Sequence, residues 1–383
     1  MSYLVYNGQK LVDGGSYLTD SSSPVELTIA YNGTDQFVFK WKAPSTSTLV
    51  FHWGDGTTTY EVGQDSTLIT STSSYSSVDS YDFYIEGDVL DLTYIAINTQ
   101  SFVSGDVSSW SALTSLTYID CYSTSVTGDV SSWSALTSLT YLRCYSTSVT
   151  GDVSSWSALT SLTYLNISST SVTFGSALAW SMTGTINMYS INNGGATSAM
   201  VDNMIESFST CTGCTIEIAG TNAHRTAASN DDLNTLLANG NTITLNDTLS
   251  AEKITSGDFA SAVPWDVTDP SWVIAAGVAS YDDLNDDNAM LQVDANLVSV
   301  IAINTIYRFE FTSAATPTNA ALALKNSALD VVFIAQANYT DGTTVWYFTS
   351  PADVSGGGLG IVGYQAGDPF DLDDVSLKTV TFV

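Results

Sequence analysis

GDVSSWSALTSLTY stands at 105–118 and again, letter for letter, at 128–141 and 151–164. The copies start 23 residues apart, and Leu116, Leu139 and Leu162 keep the same step, with a looser copy beginning at Leu92. One complete unit, 139–161, reads LTYLRCYSTSVTGDVSSWSALTS. It is apolar at its first, fourth, sixth and eleventh positions and carries Gly at its thirteenth. A segment this short cannot bury its own apolar edge. Stacked copies bury one another, so each apolar position becomes a column along a shared core, and the middle of the chain is predicted to be a solenoid.

The unit resembles a leucine-rich repeat. The array continues in weaker form through MTGTINMYSINNGG (182–195), a helix-spaced stretch from Ala199 to Phe208, TIEIAG (215–220), a helix from Asn230 to Ala238 and TITLN (242–246). The segment GTNAHRTAASNDDLNTLLANGNTITLN resembles the closing turns of leucine-rich-repeat proteins of Bacteroidetes and their phages, which implies a C-terminal cap.

Before the repeats, VELTIAY, FVFKW, TLVFHW, STLIT and YDFYI alternate as short strands. The turn Trp53-Gly54-Asp55-Gly56-Thr57 and the closing Tyr81-Asp82-Phe83-Tyr84-Ile85-Glu86-Gly87 resemble PKD-like β-sandwiches, which also precede the repeats of BspA-type bacterial surface proteins. After about Pro264, strands are expected at Trp272–Ile274, Ala289–Val293, Ile306–Phe311, Val331–Ala335, Thr344–Phe348, Leu359–Gly363 and Asp374–Thr381. YRFEF and the late DDVSL resemble two strands that pair within one sheet of carbohydrate-binding-module jelly rolls. The opening Tyr3-Leu4-Val5-Tyr6-Asn7-Gly8-Gln9-Lys10-Leu11-Val12 resembles the leader of virion appendage and tail proteins of Bacteroidetes phages. The expected organisation of this mainly β chain is therefore an attachment peptide (1–20), a PKD-like β-sandwich (21–87), a leucine-rich-repeat solenoid with few short helices and a C-terminal cap (88–250), and a jelly roll (264–383).

Composition narrows the function. Across 383 residues, 39 Asp and Glu face 9 Lys and Arg, a formal net charge of −30. Such a surface cannot neutralise a phosphate backbone or adhere to anionic lipid, so nucleic acid and membrane surfaces are excluded as partners. Charged residues make up 13% of the chain, about half the usual share of roughly 25%, and Ser, Thr and Asn must carry solubility. MSYLVYNGQK lacks the basic start and apolar run of a secretory signal. No apolar run reaches the ~20 residues of a spanning helix, since Leu291–Tyr307 is broken by Asp294, Asn296 and Asn304.

Catalytic signals are sparse. The two histidines, His52 and His224, lie far apart, and neither accompanies a GxSxG nucleophile motif, P-loop or GxGxxG. Carboxylate pairs for glycoside hydrolysis could meet only in the fold. Cys211-Thr-Gly-Cys214 is a single CxxC, short of the second pair a zinc site needs, and reads as a disulfide or two thiols in a turn.

The repeats instead suggest a binding strip. Strand alternation places Tyr94, Tyr118, Tyr141 and Tyr164 in one outward column and Tyr122 and Tyr145 in another, with Asp120, Arg143 and Asn166 beside them. Adjacent strands lie roughly 4.8 Å apart, so the rings form a stacked strip suited to the apolar faces and hydroxyls of sugars. Cross-strand support of the scaffold is the alternative. Trp110, Trp133 and Trp156, on the returning side, read as core, and Cys121 and Cys144 as small buried hydrophobes in line with Ile97 and Ile167. Asp106, Asp129 and Asp152 form a further column, solvated or bridged by a cation. Asp282, Asp283 and Asp286, with Asn285 and Asp287, gather hard oxygen ligands in one loop without EF-hand spacing. Jelly rolls of the resembled type often hold one structural Ca2+, and no other cofactor is expected.

Together these features lead to an expectation of a non-enzymatic virion appendage, a tail fibre or receptor-binding component, that recognises host cell-surface glycan. The N-terminal segment would join other virion proteins, in an assembly such as a homotrimer. A capsid decoration or connector protein, a BspA-like adhesin on a bacterial surface and a polysaccharide depolymerase are the alternatives.

Overall fold

The computed structural model describes residues 4–6, 9–11, 23–176, 188–190, 195–261, 264–267, 271–281, 288–292, 296–299, 301–314, 321–339, 342–352, 354, 357–364 and 370–381. The fold is mainly β, with sandwich-like sheets and few short helices. Of the expected attachment peptide, only a hairpin pairing Leu4–Tyr6 with Gln9–Leu11 lies within these residues.

Each full repeat makes two parallel strands and a 3-10 turn: Tyr141–Arg143, Ser148–Asp152 and Val153–Ala158 in the unit quoted above. The first strand of each unit joins one sheet and the second joins another. Their inward residues fill the columns predicted from the period. Leu116, Leu139 and Leu162; Ile119, Leu142 and Leu165; and Cys121, Cys144 and Ile167 are all buried. Val126, Val149 and Val172 close the opposite sheet. Trp110, Trp133 and Trp156 fill the returning side without exposure. Trp110 and Trp133 stack with centroids 6.2 Å apart, and the indoles of Trp133 and Trp156 each donate to the carbonyl of Val107 or Val130 one turn back, at 3.1 Å. Cys121 and Cys144 are unbridged. A hydrogen bond to Cys144, and then burial, push the Cys121 thiol up, so it stays protonated.

The Gly-Asp pair of each unit has a local cause. Asp106, Asp129 and Asp152 each accept from the backbone N–H two residues on, at 2.8, 2.9 and 3.0 Å, which starts the 3-10 turn. That capping role accounts for the aspartate column. Gly128 sits at φ +129°, and a Cβ there would fall 2.4 Å from the Asp106 carboxylate of the preceding turn. Glycine is required by the close stacking of one cap on the next.

The sandwich and the solenoid share both sheets. Glu26–Tyr31 pairs antiparallel with Val103–Asp106, and Val38–Lys42 with Tyr94–Ala96. One sheet thus carries the sandwich strands Asp79–Gly87, Thr48–His52 and Thr58–Val62 at its end, and the other carries Ile69–Thr72. Phe37, Phe39, Trp41, Phe51, Trp53 and Phe83 form an aromatic cluster that runs without a break into the repeat columns. The sandwich closes the open first turn of the array.

At the far end, Thr215–Ile218 and Thr242–Leu245 extend the first sheet, and the helices Ser198–Phe208 and Asn230–Ala238 replace the 3-10 turns. Asn241, buried, accepts from Cys214 N–H and donates to the carbonyls of Cys211 and Leu236, all at 2.7 Å, so its amide braces the CxxC turn. Beyond it, the C-terminal jelly roll packs a six-stranded sheet against a four-stranded one. Ile306–Ala314 pairs with Phe370–Thr381, as the YRFEF and DDVSL resemblance implied.

Candidate functional site

The concave sheet of the solenoid brings all seven predicted ligand-binding residues onto one surface. Tyr118 lies beside Tyr94 and Tyr141, and Tyr141 beside Tyr164, in register. The rings stack face to face, with centroids 4.1, 4.2 and 4.3 Å apart and planes within 9° of parallel. Tyr122 and Tyr145 form a second, shorter stack at 4.6 Å. All are half-buried.

This geometry corrects how the strip would meet a ligand. Both faces of Tyr118 and of Tyr141 are covered by neighbouring rings, so neither offers a face for a sugar to stack on. What the ladder leaves for a ligand is the ring edges and hydroxyls. The result is a row of hydroxyl groups that repeats once per turn.

Asp120 and Arg143 differ from expectation too. Strand alternation puts both on the outward side, but Asp120 is only 1% exposed. Arg143 lies over it, donating from Nε at 3.0 Å and from Nη2 at 2.5 Å, and Asn98 adds a bond at 2.6 Å. The guanidinium also covers the Tyr122 ring at 4.2 Å. Arg143, placed beside the tyrosines by alternation, is therefore largely committed within the protein. Units 116–138 and 139–161 differ at two positions only, Ile119/Leu142 and Asp120/Arg143. The second difference supplies the ion pair between adjacent turns.

Burial raises the phenols of Tyr94, Tyr118 and Tyr145, and it pushes Tyr141 up to about 12 despite the opposing effect of Arg143. A raised tyrosine pKa means that the folded chain holds its proton after the unfolded chain has lost it. Stability from these groups is thus full below about pH 10 and falls as pH rises through the folded values. Spectrophotometric titration near 295 nm should show a late group of tyrosines, and the melting temperature should be flat up to about pH 10 before declining. A single ionisation step at the ordinary tyrosine value would contradict the ladder's packing.

The other candidates divide. His52 stacks on Tyr84 at 4.2 Å and reaches Glu86 at 3.0 Å, a satisfied surface histidine. Asp282, Asp283 and Asp286 lie outside the described residues. Among the described residues, no group of three or more His, Cys, Asp or Glu could hold a metal ion, and no helix is long and apolar enough to cross a membrane. Two cations were missed in the sequence: Lys40 and Lys42 share this surface because Val38–Lys42 pairs with Tyr94–Ala96. Their i, i+2 spacing was visible, but the pairing of a sandwich strand with a repeat strand was not.

No family model and no curated protein matches the chain. Among solved structures it is similar to the C-terminal CBM6 of a marine laminarinase from Zobellia galactanivorans, with 10% identity over 26% of this chain and 79% of that one and a TM-score of 0.21. It is similar to the second N-terminal cellulose-binding domain of β-1,4-glucanase C from Cellulomonas fimi, with 20% identity, coverage of 35% and 94%, and a TM-score of 0.22. It is also similar to an internalin from Listeria monocytogenes, with 21% identity, coverage of 39% and 46%, and a TM-score of 0.27. Likenesses at these scores assign no ligand.

Proposed function

We propose that the protein is a non-enzymatic attachment protein whose concave sheet binds a surface glycan. The observation that carries this reading is the row of Tyr94, Tyr118, Tyr141 and Tyr164, whose stacked ring centroids lie 4.1 to 4.3 Å apart and present one hydroxyl per turn. A rigid row of donors and acceptors costs little side-chain entropy on binding. It suits a polyhydroxylated chain lying along the solenoid axis. Each contact is weak, so strong attachment requires several rings at once or several copies of the protein.

Changing Tyr118, Tyr141 and Tyr164 together to Phe keeps the stack and removes three hydroxyls. Retention in gels containing the cognate polysaccharide should drop at least tenfold, about 1.4 kcal/mol or more, with the melting temperature nearly unchanged. Full retention by the triple variant would overturn the reading and move binding to another face. The finer reading, a virion appendage held by its N-terminal segment, is tested by mass spectrometry of purified virions. Presence in a bacterial envelope fraction and absence from virions would favour the adhesin instead.

A further inference from the structure

We infer that the glycan on this surface is an anionic one, its acidic substituents held by Lys40 and Lys42 beside the Tyr94 end of the ladder. The inference rests on the concave-sheet reading above and adds the chemical class of its ligand.

Cations are scarce in this chain, so where they stand unpaired is informative. Of nine Lys and Arg, Arg143, Arg225, Arg308 and Lys378 each pair with a carboxylate. Lys40, Lys42, Lys253 and Lys325, in a chain with 39 acids, have no carboxylate within ion-pair distance among the described residues, and of these only Lys40 and Lys42 stand side by side on one strand. These two project from the same side of Val38–Lys42, roughly 6.6 Å apart by strand rise, where like charges repel. Lys42 Nζ lies 5.4 Å over the Tyr94 ring, which joins the pair directly to the ladder. From Ile69–Thr72 through Tyr164–Asn166 the outward charges are Lys40, Lys42, Asp120 and Arg143, and Glu217 stands two strands beyond, toward the far end of the sheet. Asp120 and Arg143 cancel. A protein of net charge −30 therefore presents two uncompensated positive charges on its proposed binding surface.

The overall negative charge opposes the approach of an anionic polymer at low salt. At physiological ionic strength the screening length is about 8 Å, so distant carboxylates fade while groups touching Lys40 and Lys42 do not. Retention should then rise from about 10 mM to about 150 mM salt and fall again near 1 M.

The test uses the purified full chain in affinity electrophoresis at about 150 mM salt, with mobility referred to polymer-free gels. The probes are polygalacturonate, a sulfated galactan and neutral laminarin. At least one acidic polymer should retain the protein tenfold more strongly than laminarin, and K40Q/K42Q should abolish that excess. The two acidic gels distinguish carboxylate from sulfate as the group held. Equal retention by laminarin, no retention by any polymer, or unchanged acidic retention of K40Q/K42Q each overturns the inference. If Y118F/Y141F/Y164F loses retention while K40Q/K42Q does not, the concave-sheet reading stands and the anionic ligand falls. If neither variant changes retention, both fall.

Discussion

Trp133→Ala is expected to lower stability by roughly 3–5 kcal/mol, the range for truncating a buried aromatic side chain. The indole is fully buried, stacks on Trp110 and donates to Val107. Its removal leaves a void bordered by the preceding and following turns, and the Val107 carbonyl keeps only the Trp110 N–H. In a solenoid, stability is close to a sum of turn and interface terms, so two interfaces weaken at once. Because the repeat core is continuous with that of the sandwich, the loss should reach residues 25–85, although they lie far away in sequence. Chemical denaturation would read the change, and hydrogen exchange would locate it. A midpoint indistinguishable from wild type would show that the tryptophan column is not structural.

Arg225→Ala should be about as damaging, for a different reason. The side chain is fully buried at the junction of the cap and the jelly roll. It donates to Asp247 at 2.7 Å and to Asn230 at 2.7 Å, and lies 4.5 Å from the Tyr347 ring centroid. Beside it, Asn234 exchanges two hydrogen bonds with the Tyr347 backbone and so occupies the edge of the strand Gly342–Thr349. Removing one partner of a buried ion pair leaves the other charge uncompensated and costs roughly 3–5 kcal/mol. The double change Arg225→Met with Asp247→Leu should recover most of that loss, because both charges leave together. A single variant within about 1 kcal/mol of wild type would mean that the junction does not depend on the pair.

Periodicity made the solenoid legible because exact repetition removes ambiguity: the columns Leu116/Leu139/Leu162 and Trp110/Trp133/Trp156 needed only the 23-residue step. The second strand of each unit was not foreseen. SVTGD has one buried residue between exposed polar ones, too weak a signal to separate from a turn. Thr58–Val62 was missed for a similar reason: as an edge strand it is mostly exposed and lacks apolar alternation. Ala321–Lys325, ALALK, was missed because Ala and Leu favour helix. Burial of four of its residues by the jelly roll overrides that preference.

The site was legible by direction but not by contact. Alternation assigned the outward tyrosines correctly, and strand spacing implied that they stack. That stacking hides the ring faces follows from rings lying parallel, which depends on rotamers no sequence pattern states. Asp120 is outward and yet buried because Arg143, 23 residues later, folds over it. Likewise, Lys40 and Lys42 enter the site through an antiparallel pairing between modules.

The Asp120–Arg143 pair also bears on how the array can lengthen. Near-identical DNA repeats invite unequal crossing-over, and the simplest product is one extra unit of 23 residues. Duplicating 116–138 would stack aspartate on aspartate, and duplicating 139–161 would stack arginine on arginine. Copying both units together, 46 residues, preserves the alternation and adds two rungs to the tyrosine ladder. Selection for stability should therefore favour lineages whose arrays grow in steps of two units, so that reach along a ligand changes in doublets.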